Sequence, residues 1–404
     1  MTNEPIGQPG LPHSRLTLKR MAAVAVLLIA AGAVLSLLGL LRPAWQPRLT
    51  AGWLWAFTFT WTVLLGCLFF VALQHVTASV WSVVIRRAAE MLARPIWILA
   101  LLFVPIALIV AGVIDVPLFP WTGPEPPEHW IGGKTIHLYP NLFVARGALY
   151  FIVWIAFARF FVDTSIHQDE TADPQLTDRM RRYSTVFMLL FALTGSLAAV
   201  DWLMSLAPAW YSTIFPVYVF AGSVVAALAA ITLATIWLRS LGLLGDGIVT
   251  ADHLYSLGGL LFAFSCFWAY IAFSQYMLIW YGNIPEETVW FIRRLHGPWY
   301  PLTILLAAIR FVAPFLLLLP RRAKTAPRLL VGVCALLLLG QLLDLYWLIA
   351  PELPPGVPRL GLPELAPLLL MLGIVLLYVV KFVGGHRMLP VGDPLFEESR
   401  HFHL

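Results

Sequence analysis

Charge is what this sequence has least of. Asp, Glu, Lys and Arg make up 12% of its 404 residues, about half the usual share. Hydrophobic residues make up 60%, and the mean hydropathy is +0.83. So few charges cannot cover a globule of this size with polar surface, and the solvent implied is lipid. That excludes a soluble enzyme, a disordered scaffold and a nucleic-acid binder, despite a net charge of +5 and a pI of 9.2. Cysteine is also scarce. Cys67, Cys266 and Cys334 all lie inside apolar runs, and no CxxC occurs. A disulfide framework, or a zinc or iron–sulfur site held by this chain, is therefore not expected. There is no phosphate-cradling P-loop. Of the ten histidines only His75 falls in the body of an apolar run, so a haem held between histidines on facing helices is not expected either.

What is present is a series of apolar runs. Ten are long enough to cross a bilayer, at about 20 residues each and 1.5 Å rise per residue: 21–41, 53–76, 96–114, 142–162, 183–205, 214–240, 257–281, 298–320, 329–350 and 364–383. The first is read as a helix rather than a signal peptide, because Arg42 closes it and no small-residue cleavage site follows. The fold expected is an all-α polytopic membrane protein. Loop charge sets its orientation. With the N-terminus inside, the inner segments hold 17 Lys and Arg and the outer loops 6, which puts both termini in the cytoplasm.

Three loops stand out. The outer loop 115–141 carries Pro-Glu-Pro-Pro at 124–127, then Trp130, Lys134 and His137. The inner loop 163–182 is the most polar stretch. The outer loop 282–297 carries Glu286, Glu287, Trp290, Arg293, Arg294 and His296. Each is read either as a docking surface or as a solvated connector.

Helices 2–5 and 6–9 read as two copies of one four-helix unit. His137-Leu-Tyr139-Pro140 precedes helix 4 and His296-Gly-Pro-Trp-Tyr300-Pro301 precedes helix 8. Helix 4 then carries Arg146 and helix 8 carries Arg310. Helix 5 ends on Asp201 and Pro208, helix 9 on Asp344 and Pro351, with the same seven-residue spacing. Both copies start outside, so the repeat is parallel. The segmentation expected is a cytoplasmic tail 1–20, helix 1 and its loop 21–52, bundles 53–213 and 214–350, a loop with helix 10 at 351–383, and a cytoplasmic tail 384–404.

A charged group inside a membrane span costs about 2.5–3.5 kcal/mol or more, so it normally faces the protein with a partner. Arg146 and Asp201 each lie roughly 6 Å below the outer face, and an ion pair is expected. Arg310 and Asp344, roughly 18 Å and 9 Å deep at the helical rise, form a weaker expectation of the same kind. Such pairs serve either as structural ties or as outer gating groups. Toward the inner side stand His75, Arg159, Asp163, His167 and Asp169, which read as proton-entry groups because histidine titrates near neutrality and burial raises carboxylates. Between the two sets lie only neutral groups: Thr194, Ser196, Ser223, Thr232, Tyr270, Ser274 and Gln275. These read either as a link between two half-channels or as helix-packing polars.

Three segments carry a resemblance. They are Asp201-Trp-Leu-Met-Ser-Leu-Ala-Pro-Ala-Trp-Tyr-Ser-Thr-Ile-Phe215 with Val217-Tyr-Val-Phe-Ala-Gly222, Gln74-His-Val-Thr-Ala-Ser-Val-Trp-Ser-Val-Val-Ile-Arg-Arg-Ala-Ala-Glu90, and Phe273-Ser-Gln-Tyr-Met-Leu-Ile-Trp-Tyr-Gly-Asn-Ile-Pro-Glu-Glu287. They resemble the F subunit of alternative complex III, within the wider polysulfide-reductase (NrfD-type) family of membrane subunits. The resemblance covers helices 2–8 well and the termini poorly. It implies ten helices with two four-helix bundles, in the inner membrane of a bacterium. It implies a cofactor-free subunit of a quinol oxidase module. Its partners would be a paralogous quinol-binding membrane subunit, an iron–sulfur subunit and haem c subunits, with lipid around them. The alternatives are the quinol-binding paralogue itself, with a pocket drawn from His137, Tyr139 and Asp201 or from His296 and Tyr300, and a purely structural scaffold.

Overall fold

The computed structural model describes residues 12–122, 137–354 and 356–404. The protein is 81% helical, with no strand among the described residues. Among the described residues ten helices are long and apolar enough to cross a membrane. In chain order they are α1 (Ser14–Leu40), α2 (Pro43–Val76), α3 (Val83–Val110), α4 (Pro140–Thr171), α5 (Pro174–Leu206), α6 (Phe215–Ser240), α7 (Ala251–Gly282), α8 (Gly297–Leu318), α9 (Pro327–Glu352) and α10 (Leu362–Gly385). All ten expected spans are present. Pro124–Pro127, Trp130 and Lys134 lie outside the described residues.

Proline punctuates the starts. Pro140, Pro174, Pro216, Pro298, Pro327 and Pro363 each occupy the first or second helical position, where a missing N–H costs nothing because that donor has no intrahelical acceptor. Asp173 caps α5 by accepting from the Gln175 N–H at 2.9 Å. Inside α8 a proline has another effect. Pro314 cannot donate to the Arg310 carbonyl, and the turn before it widens to a π-helix over Ala308–Val312, closed by the Ala313 N–H on the Ala308 oxygen. Such insertions re-aim side chains, and this one carries Arg310.

Helix α2 lies at the centre and is buried along most of its length. It packs on α3, α5, α6, α9 and α10. Along the chain α3 packs on α4, α4 on α5, and α5 back on α2; likewise α6 packs on α7, α7 on α8, α8 on α9, and α9 back on α6. Helix α1 packs chiefly on α10.

The structure departs from the sequence reading at four places. The stretch ahead of the third apolar run is not a loop: Val83–Ala93 is a helix with all its residues buried, Arg86, Arg87 and Glu90 included. Hydropathy sees polar residues there, whereas in the fold they neutralise one another. The stretch 163–182, read as an inner loop, is helical except around residues 172 and 173, because α4 and α5 run on past their apolar portions. The stretch 282–297, read as an outer loop, contains an amphipathic helix, Pro285–Leu295, with Trp290 and Arg294 buried. The segment after α10, read as a tail, is docked: Met388, Leu389, Asp393, Phe396 and Ser399 are all buried.

Candidate functional site

The end of the bundle where α4 begins and α5 finishes holds a fully buried carboxylate. Asp201 is 0% exposed. Arg146 donates to it twice, Nε to Oδ2 at 2.9 Å and Nη2 to Oδ1 at 2.8 Å. The Tyr150 hydroxyl donates to Oδ2 at 2.7 Å, and His137 Nε2 stands 2.9 Å from Oδ1. Arg146 Nη2 also reaches the His137 carbonyl at 2.7 Å. Tyr150 follows Arg146 by four residues, one helical turn, so both present the same face of α4 to α5. A wall of aromatic rings backs the cluster: Trp202 touches Phe57, Trp61, Phe151 and Trp154. The rings keep water from that side of the carboxylate, which strengthens the pairing, while a fifth of the Arg146 side chain remains exposed.

A second buried carboxylate occupies the corresponding place on α9. Arg310 Nη1 stands 3.3 Å from Asp344 Oδ2 and donates to Gln341 Oε1 at 2.6 Å. The Tyr218 hydroxyl, from α6, donates to Asp344 Oδ1. The Arg310 guanidinium lies over the Trp268 ring, 4.2 Å from its centre, and Arg310 Nη2 has no hydrogen-bond partner among the described residues. Gln341 Nε2 reaches Thr62 Oγ1 on α2 at 3.3 Å. A polar chain therefore runs from Asp344 through Arg310 and Gln341 to the central helix.

Beside Asp344 opens a cavity of about 610 Å³, walled by α6, α7, α8, α9 and the Pro285–Leu295 helix. Its lining is nearly all apolar and aromatic, including Phe215, Trp268, Tyr276, Trp290, Phe291 and Trp347. Its roof is pinned by Arg294, which is 0% exposed. Arg294 donates to the carbonyls of Trp347 at 3.2 Å, Leu348 at 3.0 Å and Trp290 at 3.0 Å, and to Glu352 at 2.9 Å. These take up backbone acceptors at the end of α9. Burial pulls Arg294 down to about 10 and Glu352 opposes this, so it remains a cation at neutral pH.

The opposite end of the bundle carries a denser network. Arg86 contacts Glu90 at 3.1 Å and Asp393 at 2.7 Å. Arg87 contacts Glu90 at 3.1 Å and Asp169 at 2.8 Å. The docked C-terminal segment is part of it, since the Gly392 N–H donates to Asp169 at 3.3 Å and the Ser399 carbonyl meets His253 Nε2 at 3.0 Å. Near this network His75 is buried, stacked on Phe161 at 5.7 Å, and its Nε2 has no hydrogen-bond partner among the described residues.

The residues singled out in the sequence thus divide. Arg146 with Asp201, and Arg310 with Asp344, are brought together. Asp163 and His167 lie on the exposed side of α4, Asp163 paired with Arg94 at 2.8 Å and His167 3.9 Å from Glu170; Arg159 is exposed. Asp169 is not grouped with them but faces Arg87. Tyr139, His296 and Tyr300 are exposed, and none lines the cavity; His137 alone of that set joins a buried carboxylate. Among the neutral groups Tyr270 is exposed, and Thr194 and Thr232 donate to carbonyls of their own helices; Thr194 also accepts from the Trp154 indole of α4 at 2.9 Å and Ser223 donates to the Thr62 carbonyl of α2 at 2.5 Å, so both of these bridge helices. His167 and His253 also sit in helices, beyond the apolar runs that hydropathy marked.

Several members escaped the sequence reading. Tyr150 and Gln341 lie one turn from Arg146 and Asp344, and that spacing was a usable signal. Tyr218, Trp268 and Asp393 had none, since each meets its partner across the fold, whereas Glu90 lies one turn from Arg86 and Arg87 on the same helix. Among the described residues no group of three or more His, Cys, Asp or Glu side chains is placed to hold a metal. No family model and no curated protein matches this chain.

Proposed function

We propose that this chain is an integral membrane subunit of a quinol-oxidising electron-transfer complex, in the position of the F subunit of alternative complex III. In this reading α2–α5 and α6–α9 are two tandem four-helix units, flanked by α1 and α10. Both termini face the cytoplasm of a bacterial inner membrane, and the Asp201 end faces outward. The chain anchors the complex. Paralogous quinol-binding, iron–sulfur and haem c subunits carry the electrons, and lipid fills the remaining perimeter.

The observation that carries the reading is the repeated ion pair. Two arginines on α4 and α8 meet two carboxylates on α5 and α9 at 2.8 and 3.3 Å, each carboxylate also accepting from a tyrosine. A scaffold would need no such costly groups twice in a membrane interior. The role proposed is proton handling. His75, Asp163 and His167 form the entry group on the cytoplasmic side. Asp201 with Arg146, and Asp344 with Arg310, form the outer gates. Asp169, held by Arg87, ties helices together instead.

Gentle-detergent purification through a C-terminal tag tests the assembly. Haem c and iron–sulfur subunits in fixed ratio are expected; a lone colourless protein from intact membranes would count against it. Within the assembled complex, replacing Asp201 by Asn and His75 by Phe should lower the proton-to-electron ratio. An unchanged ratio at unchanged quinol turnover leaves only the anchoring role.

A further inference from the structure

Positive charge gathers where the chain turns from α8 into α9. Arg321, Arg322, Lys324 and Arg328 fall within eight residues, and no Asp or Glu occurs between Glu287 and Asp344. Elsewhere at that end of the bundle Arg86, Arg87, Arg94 and Arg181 each meet a carboxylate. The four cations of the turn form no ion pair among the described residues. Arg321, Arg322 and Arg328 are exposed. The turn is therefore a concentrated positive patch that the protein itself leaves without counter-charge.

Loop cations that only set orientation need no fixed place; two of these have one. Arg321–Thr325 is a short helix packed on the first turns of α7. Gly258 permits the approach, since a methyl there would stand 2.8 Å from the Lys324 Cβ and 3.1 Å from its Cα. The Arg321 guanidinium lies 5.0 Å from the Tyr255 ring centre. Lys324 Nζ lies 5.5 Å from the Tyr255 ring and 4.9 Å from the Phe262 ring. An aromatic face holds a cation in place without cancelling its charge. Tyr255 and Phe262 are seven residues apart, about 10 Å along α7. At the lower level Phe262 stacks on Phe315 of α8 at 5.3 Å, and Leu316 and Leu319 beside it are more than half exposed. Over two helical turns the surface thus passes from cations to rings to aliphatic side chains, in the direction that leads into the bilayer. An anionic phospholipid has the same order, phosphate first and acyl chain below. A soluble acidic partner would meet the cations alone and leave the rings and leucines uncovered.

We infer that the turn between α8 and α9, with the facing turns of α7, binds an anionic phospholipid. Its phosphate sits against Arg321 and Lys324, and one acyl chain lies along Phe262, Phe315 and Leu316. Arg322 and Arg328 add attraction from the rim. A basic pocket between helices at a membrane boundary suits such a headgroup. The site stands on this patch alone. It holds whether or not the chain belongs to the complex proposed above, and for either leaflet.

Photolabelling of the purified full chain in nanodiscs, with whatever co-purifies, tests it. The probe is a phosphatidylglycerol with a diazirine on one acyl chain, and the reference is a phosphatidylcholine with the same diazirine. Saturable labelling by the glycerol lipid is expected on residues 255–264 and 315–319, about fivefold or more above the choline lipid. Arg321→Gln combined with Lys324→Gln should remove most of that preference. Gly258→Ala should lower it with the net charge unchanged, by parting the short helix from α7; an unaltered preference there would reduce the site to general charge attraction and overturn it. On the native chain, raising the salt from about 50 to about 500 mM should shrink the preference through screening, which keeps the test decisive if a variant fails to fold. Equal labelling by the two lipids would overturn the inference by leaving only ordinary boundary lipid. Displacement of the glycerol lipid by inorganic phosphate or by polyglutamate would overturn it in favour of a soluble anion. None of these outcomes depends on whether haem and iron–sulfur subunits co-purify.

Discussion

Asp201 and Arg146 are joined by two parallel hydrogen bonds, at 2.8 and 2.9 Å, across the interface of α5 and α4. The carboxylate is fully buried, while a fifth of the arginine side chain is exposed. The pair is thus closed on the carboxylate side and open on the arginine side.

Removing one partner from such a pair leaves an uncompensated buried charge. Asp201→Ala should destabilise the protein by about 2–4 kcal/mol, toward the lower end of what broken buried pairs cost because Arg146 retains some solvent. Asp201→Asn should cost less, since the amide oxygen still accepts from Tyr150 or Arg146. Arg146→Lys should cost nearly as much as Arg146→Ala, because an ammonium cannot reproduce the two-point contact. Thermal unfolding in mild detergent ranks the four variants, and an Arg146→Lys as stable as the native chain would refute the two-point account.

The second pair couples to a third residue. A double-mutant cycle on Arg310 and Gln341 should give an interaction energy of about 1–2 kcal/mol, because the 2.6 Å bond between them is charge-assisted and buried. A cycle between Arg310 and Arg146, on different pairs, should give about zero. Chemical denaturation or thermal shift supplies both numbers, and coupling absent from the first cycle would break the polar chain drawn here.

Helix α2 crosses α6 with backbones in close approach at Gly66. A methyl there would stand 2.7 Å from both the Ala227 Cβ and the Ser223 carbonyl oxygen. Gly66→Ala should therefore destabilise by about 1–3 kcal/mol through overpacking. Gly259→Ala on α7, which meets nothing within 4 Å, should be neutral or stabilising through helix propensity. The two variants have opposite expected signs in the same unfolding assay.

The docked C-terminal segment makes a second close approach. A methyl on Gly392 would lie 1.9 Å from the Gln168 carbonyl oxygen, against backbone that cannot yield. Gly392→Ala should lift the segment away from Asp169 and Arg86 while leaving the ten spans intact. Limited trypsin digestion should then cut at Arg387 and Arg400 at least several-fold faster than in the native chain. Unchanged digestion would mean that the segment does not depend on this contact.

Much of this architecture is written in the chain itself. A run of about 20 apolar residues has one physical destination, and ten such runs make ten spans. The pairing of Arg146 with Asp201, and more weakly that of Arg310 with Asp344, was legible because a charge in lipid demands a partner, and the following helix supplied one, at matching depth in the first pair and at a shallower level in the second. What hydropathy could not show is direction. Arg86, Arg87 and Glu90 read as loop residues, since their mutual neutralisation needs Asp169 and Asp393 from distant segments. Asp344 gave no sign that Tyr218, 126 residues away, would bind it. The cavity is less legible still. It is a space left between five helices, and an absence of atoms has no residue to announce it. Composition and local spacing determine which segments enter the membrane and which charges must pair. Only packing decides which faces meet, because side-chain contacts across helices depend on rotations and separations that no single segment encodes.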